Sequence, residues 1–130
     1  MSKPRPKILI VDDNEVMRAL LRGILRNEEY EIVGEARNGA VALEMTDLLR
    51  PDIVCMDVEM PEMGGLEALQ HIKSTRPETA VVMVTGNASI DNVKVAIQNG
   101  ACAFIVKPFN AAKVVDTLQR AYAGRRPLTV

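Results

Sequence analysis

Charge of one sign is what this chain lacks most plainly: 16 basic residues against 17 acidic ones leave a formal net charge of −1. Such a balance supplies no footprint for nonspecific nucleic-acid or membrane binding, so partners should be met through a specific surface. No apolar run is long enough to span a bilayer, and no signal-like segment opens the chain, so neither a transmembrane nor a targeting element is expected. Cysteine is confined to Cys55 and Cys102, which have no metal-ligand spacing. Both sit in or beside predicted strands and should act as small buried hydrophobes, and a reducing cytoplasmic setting is the expectation. The single histidine, His71, falls on a predicted helix away from any strand end, where a solvated surface residue is expected, not a phosphocarrier.

What is present is 130 residues of 48% hydrophobic content, the size of one domain with a full core and too small for two. Residues 1–6 are polar, basic and proline-containing and read as a loose lead-in, residues 7–124 as the domain, and residues 125–130, with Arg125-Arg126, as a solvated tail or the start of a linker. Lys7 to Val11 is too continuously apolar for a half-exposed strand and suits a central parallel strand buried on both faces. Val16, Met17, Leu20, Leu21, Ile24 and Leu25 then recur at helical spacing.

Tyr30 to Ala36 reads as a second strand, and Asn38-Gly39 marks a turn before a helix carrying Val41, Met45, Leu48 and Leu49, stopped by Pro51. Ile53 to Met56 is a third strand running into Asp57, followed by a helix striped with Leu66, Leu69 and Ile72. Ala80 to Val84 ends at Thr85. Ser89 can cap a helix with Ile90, Val93 and Ile97, closed by Asn99-Gly100 in a left-handed cap. Ala103 to Val106 ends at Lys107-Pro108, and Val114, Val115, Leu118, Ala121 and Tyr122 stripe the last helix. The methionines fall mostly at core positions and read as gap-fillers.

Strict alternation of strand and helix implies a five-stranded parallel sheet with helices on both faces and right-handed crossovers, an α/β domain of flavodoxin-like (βα)5 type. Ligands of such sheets sit beyond the carboxyl ends of the strands. The chemistry-bearing residues stand at those ends: Asp12-Asp13, Asp57 with Met60-Pro61, Thr85-Gly86, and Lys107-Pro108, with Phe104 just before. Three carboxylates brought together repel, each pair of charges about 4 Å apart costing roughly 4 kcal/mol near a protein surface, which a hard divalent cation would relieve.

In this pattern, from Val11-Asp12-Asp13 through Asp57-x-x-Met60-Pro61 and Thr85-Gly86 to Lys107-Pro108-Phe109, the chain resembles the receiver domain of two-component response regulators over almost its whole length. The resemblance implies that Asp57 is the nucleophile that takes a phosphoryl group from a phosphohistidine on a sensor histidine kinase. It implies Mg²⁺ held by Asp13, Asp57 and the backbone carbonyl of Glu59, with Asp12 acting through a metal-bound water. Lys107 would hold a phosphoryl oxygen, Thr85 would donate its hydroxyl to the new phosphate, and Gly86 would leave space beside it. Phe104 matches the switch aromatic that turns inward as Thr85 moves. The output would pass to a partner through the face of the fourth helix, fifth strand and fifth helix.

Several positions set this chain apart within that pattern. Glu59 and Asn87 stand where the family tunes phosphoryl lifetime, and Glu59 is expected to modulate dephosphorylation. Phe104 lacks the hydroxyl of a tyrosine, so switching there would rest on packing. Gly64-Gly65 replaces a more usual Asp-Gly or Asn-Gly, which should loosen that loop without touching the chemistry. Cys102 and Ala103 stand where DNA-binding dimeric members carry acids. Together with the stop at Val130 this favours a stand-alone monomeric receiver resembling chemotaxis regulators, although Gly124 to Pro127 could equally open a linker. Such a receiver touches no nucleic acid or membrane directly and turns over no metabolite.

The alternatives are a phosphorelay carrier that passes the group from Asp57 to a histidine phosphotransfer protein, a small Mg²⁺-dependent aspartyl phosphatase, and a flavodoxin-like cofactor carrier. Asp12-Asp13 lacks the Asp-x-Asp spacing of haloacid-dehalogenase-like phosphatases, and no glycine- and hydroxyl-rich phosphate loop follows the first strand.

Overall fold

Strands that are apolar on both faces can be buried only if helices cover both sides of their sheet. The computed structural model, which describes residues 5–124, has that arrangement. Its elements run β1 Lys7–Val11, α1 Glu15–Arg26, β2 Glu31–Ala36, α2 Gly39–Leu49, β3 Ile53–Met56, α3 Gly65–Thr75, β4 Ala80–Thr85, α4 Ile90–Gln98, β5 Ala103–Val106 and α5 Ala111–Gly124. All strand pairs are parallel, in the order β2-β1-β3-β4-β5. The chain leaves β1 toward one edge and returns to the other side with β3, so the crevice at this reversal lies between the ends of β1 and β3.

Successive residues of a strand face opposite sides, and the core accordingly splits in two. Ile8, Ile10, Ile53, Cys55, Val82, Val84 and Ile105 pack with Leu21 and Leu25 of α1 and Val114 and Leu118 of α5. Leu9, Val11, Val54, Met56, Val81 and Met83 pack with Ala42 of α2, Ala68, Leu69 and Ile72 of α3, and Ala96 of α4. Met56 and Met83 are fully buried, and Met45, Met60 and Met63 pad the second cluster. Burial pushes the Cys55 thiol up to about 12, which makes it an inert core group.

Helix starts are fixed by side-chain caps. Asn14, Asn38, Ser89 and Asn110 accept from the backbone N–H of Met17, Val41, Asn92 and Lys113 respectively, each bond contributing about 1 kcal/mol. Gly100, at φ +96°, closes α4, and the left-handed Arg50 ends α2 just before Pro51.

Some sequence expectations are corrected. Val16 and Leu20 are 75% and 48% exposed: α1 buries the row of Leu21 and Leu25, and the other apolar row of the same helix faces outward. Ile90 and Ile97 are likewise exposed on α4, as is Leu48 on α2. Cys102 is exposed, because it precedes the edge strand β5 and no further strand among the described residues covers it. His71 is a surface residue beside Glu67, one helical turn away. No described helix is long and apolar enough to cross a membrane. Residues 1–4 of the expected lead-in, and the tail with Arg125-Arg126, lie outside the described residues.

Candidate functional site

Val11 and Met56 are register partners at the ends of β1 and β3, so the residues that follow them, Asp12 and Asp57, leave the sheet side by side. The backbone fixes both: Asp12 N–H donates to Ala36 O at 3.0 Å and Asp57 N–H to Val11 O at 3.0 Å. Oxygens of Asp12, Asp13 and Asp57 lie within 4.8 Å of one another. Asp12 and Asp57 are only 1% and 7% exposed, while Asp13 faces solvent.

Lys107 enters from the far side of the sheet. Its N–H donates to Thr85 O at 2.9 Å, which continues the β4·β5 ladder. Its Nζ reaches Asp12 Oδ2 at 2.7 Å and Asp57 Oδ2 at 3.2 Å. The other Asp12 oxygen accepts the Asn14 N–H at 2.9 Å. Burial pushes the Asp12 carboxyl above its ordinary value, against Lys107 and the Asn14 N–H, which favour its charged form. Burial works on Lys107 in the opposite sense, but the hydrogen bond and charge of Asp12, followed by those of Asp57, prevail and hold its ammonium above the usual lysine value.

The β4–α4 loop supplies the hydroxyl. Thr85 is 1% exposed, and its Oγ1 accepts the Asn87 N–H at 3.1 Å. Asn87 Nδ2 donates to a Glu59 carboxylate oxygen, and Asn92 Nδ2 donates to Asn87 O at 3.0 Å. Glu59 and Asn87, far apart in sequence, are therefore joined directly across the mouth of the site. A Cβ on Gly86 would approach only the Lys107 Cβ, at 4.0 Å, so the loop backbone is open on the Lys107 side. Phe104 is the register partner of Met83, half-buried against the α2–α4 side of the core.

The β3–α3 loop packs closely on the central acid. A Cβ on Gly65 would stand 1.8 Å from the carbonyl oxygen of Asp57, so this glycine is demanded by contact with the backbone of the central acid. Gly65 N–H also donates to Val58 O at 2.8 Å, and Gly39 N–H of α2 donates to Met63 O at 2.8 Å. Gly65, which the more usual Asp-Gly or Asn-Gly would share, lets the loop press against Asp57, while Gly64 leaves α3 without a side-chain cap.

One site contact left no mark in the sequence reading. Arg18 of α1 donates through Nη1 to the backbone O of Asp12 at 2.7 Å. A cation so near a helix N-terminus opposes the helix dipole, which is the sequence signal that could have singled it out.

The arrangement offers hard oxygen donors in a half-buried hollow, a fixed ammonium and a hydroxyl at neighbouring strand ends. Such a set suits a divalent cation and a tetrahedral anion together. Residues 8–119 match the family described as response regulator receiver domain. The chain is 44% identical to the chemotaxis protein CheY of Listeria monocytogenes, covering 88% of this chain and 97% of that protein. It resembles the CheY-like receiver domain protein of Methanospirillum hungatei with a TM-score of 0.88 at 29% identity, over 93% and 96% of the two chains. It also resembles a chain of the CheX–CheY–BeF3–Mg²⁺ complex from Borrelia burgdorferi with a TM-score of 0.84 at 30% identity, over 89% and 88%.

Proposed function

Because this chain belongs to the response regulator receiver domain family, we propose that it is a signalling switch thrown by a phosphoryl group on Asp57, received from a sensor histidine kinase or a histidine phosphotransfer protein. The observation that carries this reading is the ammonium of Lys107 set between the buried carboxylates of Asp12 and Asp57. A carboxylate oxygen of Asp57 attacks the phosphorus of a phosphohistidine. The P–N bond breaks as the O–P bond forms, leaving imidazole on the donor and an acyl phosphate on Asp57.

The donor set fits Mg²⁺: it is all oxygen, with three carboxylates in reach of one point. Asp13, Asp57 and the Glu59 carbonyl would hold the ion, with Asp12 reaching it through a water. When bound it neutralises charge on the transferring oxygens. Lys107 holds one of those oxygens by its ammonium. Thr85 donates a hydroxyl hydrogen bond to another, which draws Asn87 and the β4–α4 loop along, and Gly86 leaves the room this needs. Phe104 then packs inward from its half-buried position, and the α4–β5–α5 face, with Ile90 and Val106 exposed, changes what it presents to a protein partner. The exposed Val16 and Leu20 on α1, the helix that starts beside Asp13, give the phosphodonor protein an apolar foothold next to the site.

The Glu59–Asn87 bond lies on the path of a water attacking the acyl phosphate, so Glu59 sets the lifetime of the signal. An exposed free Cys102 suits a reducing cytoplasmic setting. The protein acts as a monomer and turns over no metabolite.

The test is intact mass of the protein and of Asp57→Asn after incubation with acetyl phosphate, with and without Mg²⁺. A single phosphoryl adduct that needs both Asp57 and the metal is expected. Its absence in the unaltered protein would sink the reading.

A further inference from the structure

Asp12 has every hydrogen-bonding atom engaged. Its N–H goes to Ala36 O, one carboxylate oxygen takes the Asn14 N–H, the other takes Lys107 Nζ, and its carbonyl takes Arg18 Nη1. The Asn14 bond closes a turn around Asp13, and only the Arg18 bond acts directly on the carbonyl of the peptide that leads on to Asp13. Asp13 itself is exposed, so the tilt of that peptide decides where its carboxylate points.

Arg18 is in turn held. Its Nε donates to Glu35 Oε1 at 3.3 Å, and the other Glu35 oxygen is taken by Arg22, one helical turn further along α1. Glu35 is the residue before Ala36, the acceptor of the Asp12 N–H. Asp12, Arg18, Glu35 and Ala36 thus form a closed ring that ties the acidic turn to the edge strand β2. The Arg18 side chain is 18% exposed, so water competes weakly for these bonds. A guanidinium suits the role because its planar fork serves two acceptors in fixed directions at once, which an ammonium on a flexible stem does not. Its place early in α1 runs against the helix dipole, and Glu35 offsets that cost.

We propose that Arg18, anchored by Glu35, is a positioning residue that holds the Asp12–Asp13 peptide so that the Asp13 carboxylate faces those of Asp12 and Asp57. This rests on the receiver reading above. Partners one step removed from a metal commonly change its affinity by about 10–100-fold when they are lost. Arg18 would act in that way through the backbone, without touching ion or phosphate.

The experiment is a Mg²⁺ titration followed by amide chemical shifts of the Asp13 and Asp57 region, with melting temperature recorded in parallel without metal. Arg18→Met should raise the half-saturating Mg²⁺ concentration about tenfold, and Arg18→Lys should recover part of the loss. Glu35→Gln, which leaves Arg18 in place but unanchored, should give a smaller rise and serves if Arg18→Met does not fold. Arg22→Met shares Glu35 but not Asp12 and should leave the titration where it was. A merely structural Arg18 would lower the melting temperature and leave the half-saturation point unmoved, and that result overturns the inference. An equal shift in Arg18→Met and Arg22→Met overturns it too. If the unaltered protein shows no Mg²⁺-dependent shifts, the receiver reading fails and this inference with it, whereas normal binding by the unaltered protein and Arg18→Met alike sinks the inference alone.

Discussion

The two halves of the sheet are built differently. β1 and β3 are buried along almost their whole length, and the acids at their ends have both backbone and side-chain partners. On the other side, β5 has only Ile105 fully buried, α4 only Ala96, and Ile90, Ile97 and Val106 lie open. Cooperative units with fewer buried apolar groups open and repack at lower cost. On the proposed function, the chemistry that must place oxygens accurately would be mounted on the fixed half and the part that has to change on the loose one. Lys107 and Thr85, at the ends of β5 and β4, are where the two meet.

A matched pair of substitutions tests the contrast most strongly. Gly65→Ala drives a methyl into the Asp57 carbonyl and should cost roughly 3 kcal/mol in urea unfolding. Gly86→Ala, in the loose half, meets only ordinary contact with Lys107 and should stay within about 0.5 kcal/mol. Similar costs for the two would dissolve the distinction.

Metal should strengthen the fixed half next. At a free Mg²⁺ concentration 100 times its dissociation constant, unfolding free energy should rise by about 2.7 kcal/mol. Asp13→Asn should remove most of that gain, and a full gain in this variant would place the ion elsewhere.

A smaller effect concerns pH. The Asp12 pKa is raised in the folded protein above its ordinary 3.8, chiefly by burial. The folded form therefore favours the proton, a contribution present below 3.8 and lost as pH rises through the raised value. Without metal, Asp12→Asn should be more stable than the parent at neutral pH, and the gap should shrink toward zero as pH falls below 3.8. A gap that grows on acidification would mean Lys107 outweighs burial at Asp12.

Least of all should Ile90→Ser or Val106→Ser matter to stability, within about 0.5 kcal/mol, while partner binding by the phosphorylated form weakens in a pull-down or titration. A large loss of stability would show that the loose half is better packed than its exposure implies.

The strands were legible because a parallel sheet covered on both faces writes itself as unbroken apolar runs, and Asp12, Asp57, Thr85 and Lys107 each close one. Helix orientation was less so. A spacing of three or four residues fits two neighbouring rows of α1, and nothing local separates Leu21 and Leu25 from Val16 and Leu20. The bond from Arg18 to a backbone carbonyl leaves no compositional trace, and the need for Gly65 depends on an approach by residues eight positions earlier that only the folded chain makes.

Lys107 has a last consequence, for the order in which this protein is made. A small zinc domain stays unfolded until its ion arrives, because the free energy of metal binding supplies the free energy of folding. Here the cluster is supplied with a tethered cation by the chain's own fifth strand, 95 residues from Asp12 in sequence. A newly synthesised molecule can close its core as soon as that strand is in place, whatever the ion supply around it. Magnesium bound at the proposed site would then add stability to a molecule that has already folded.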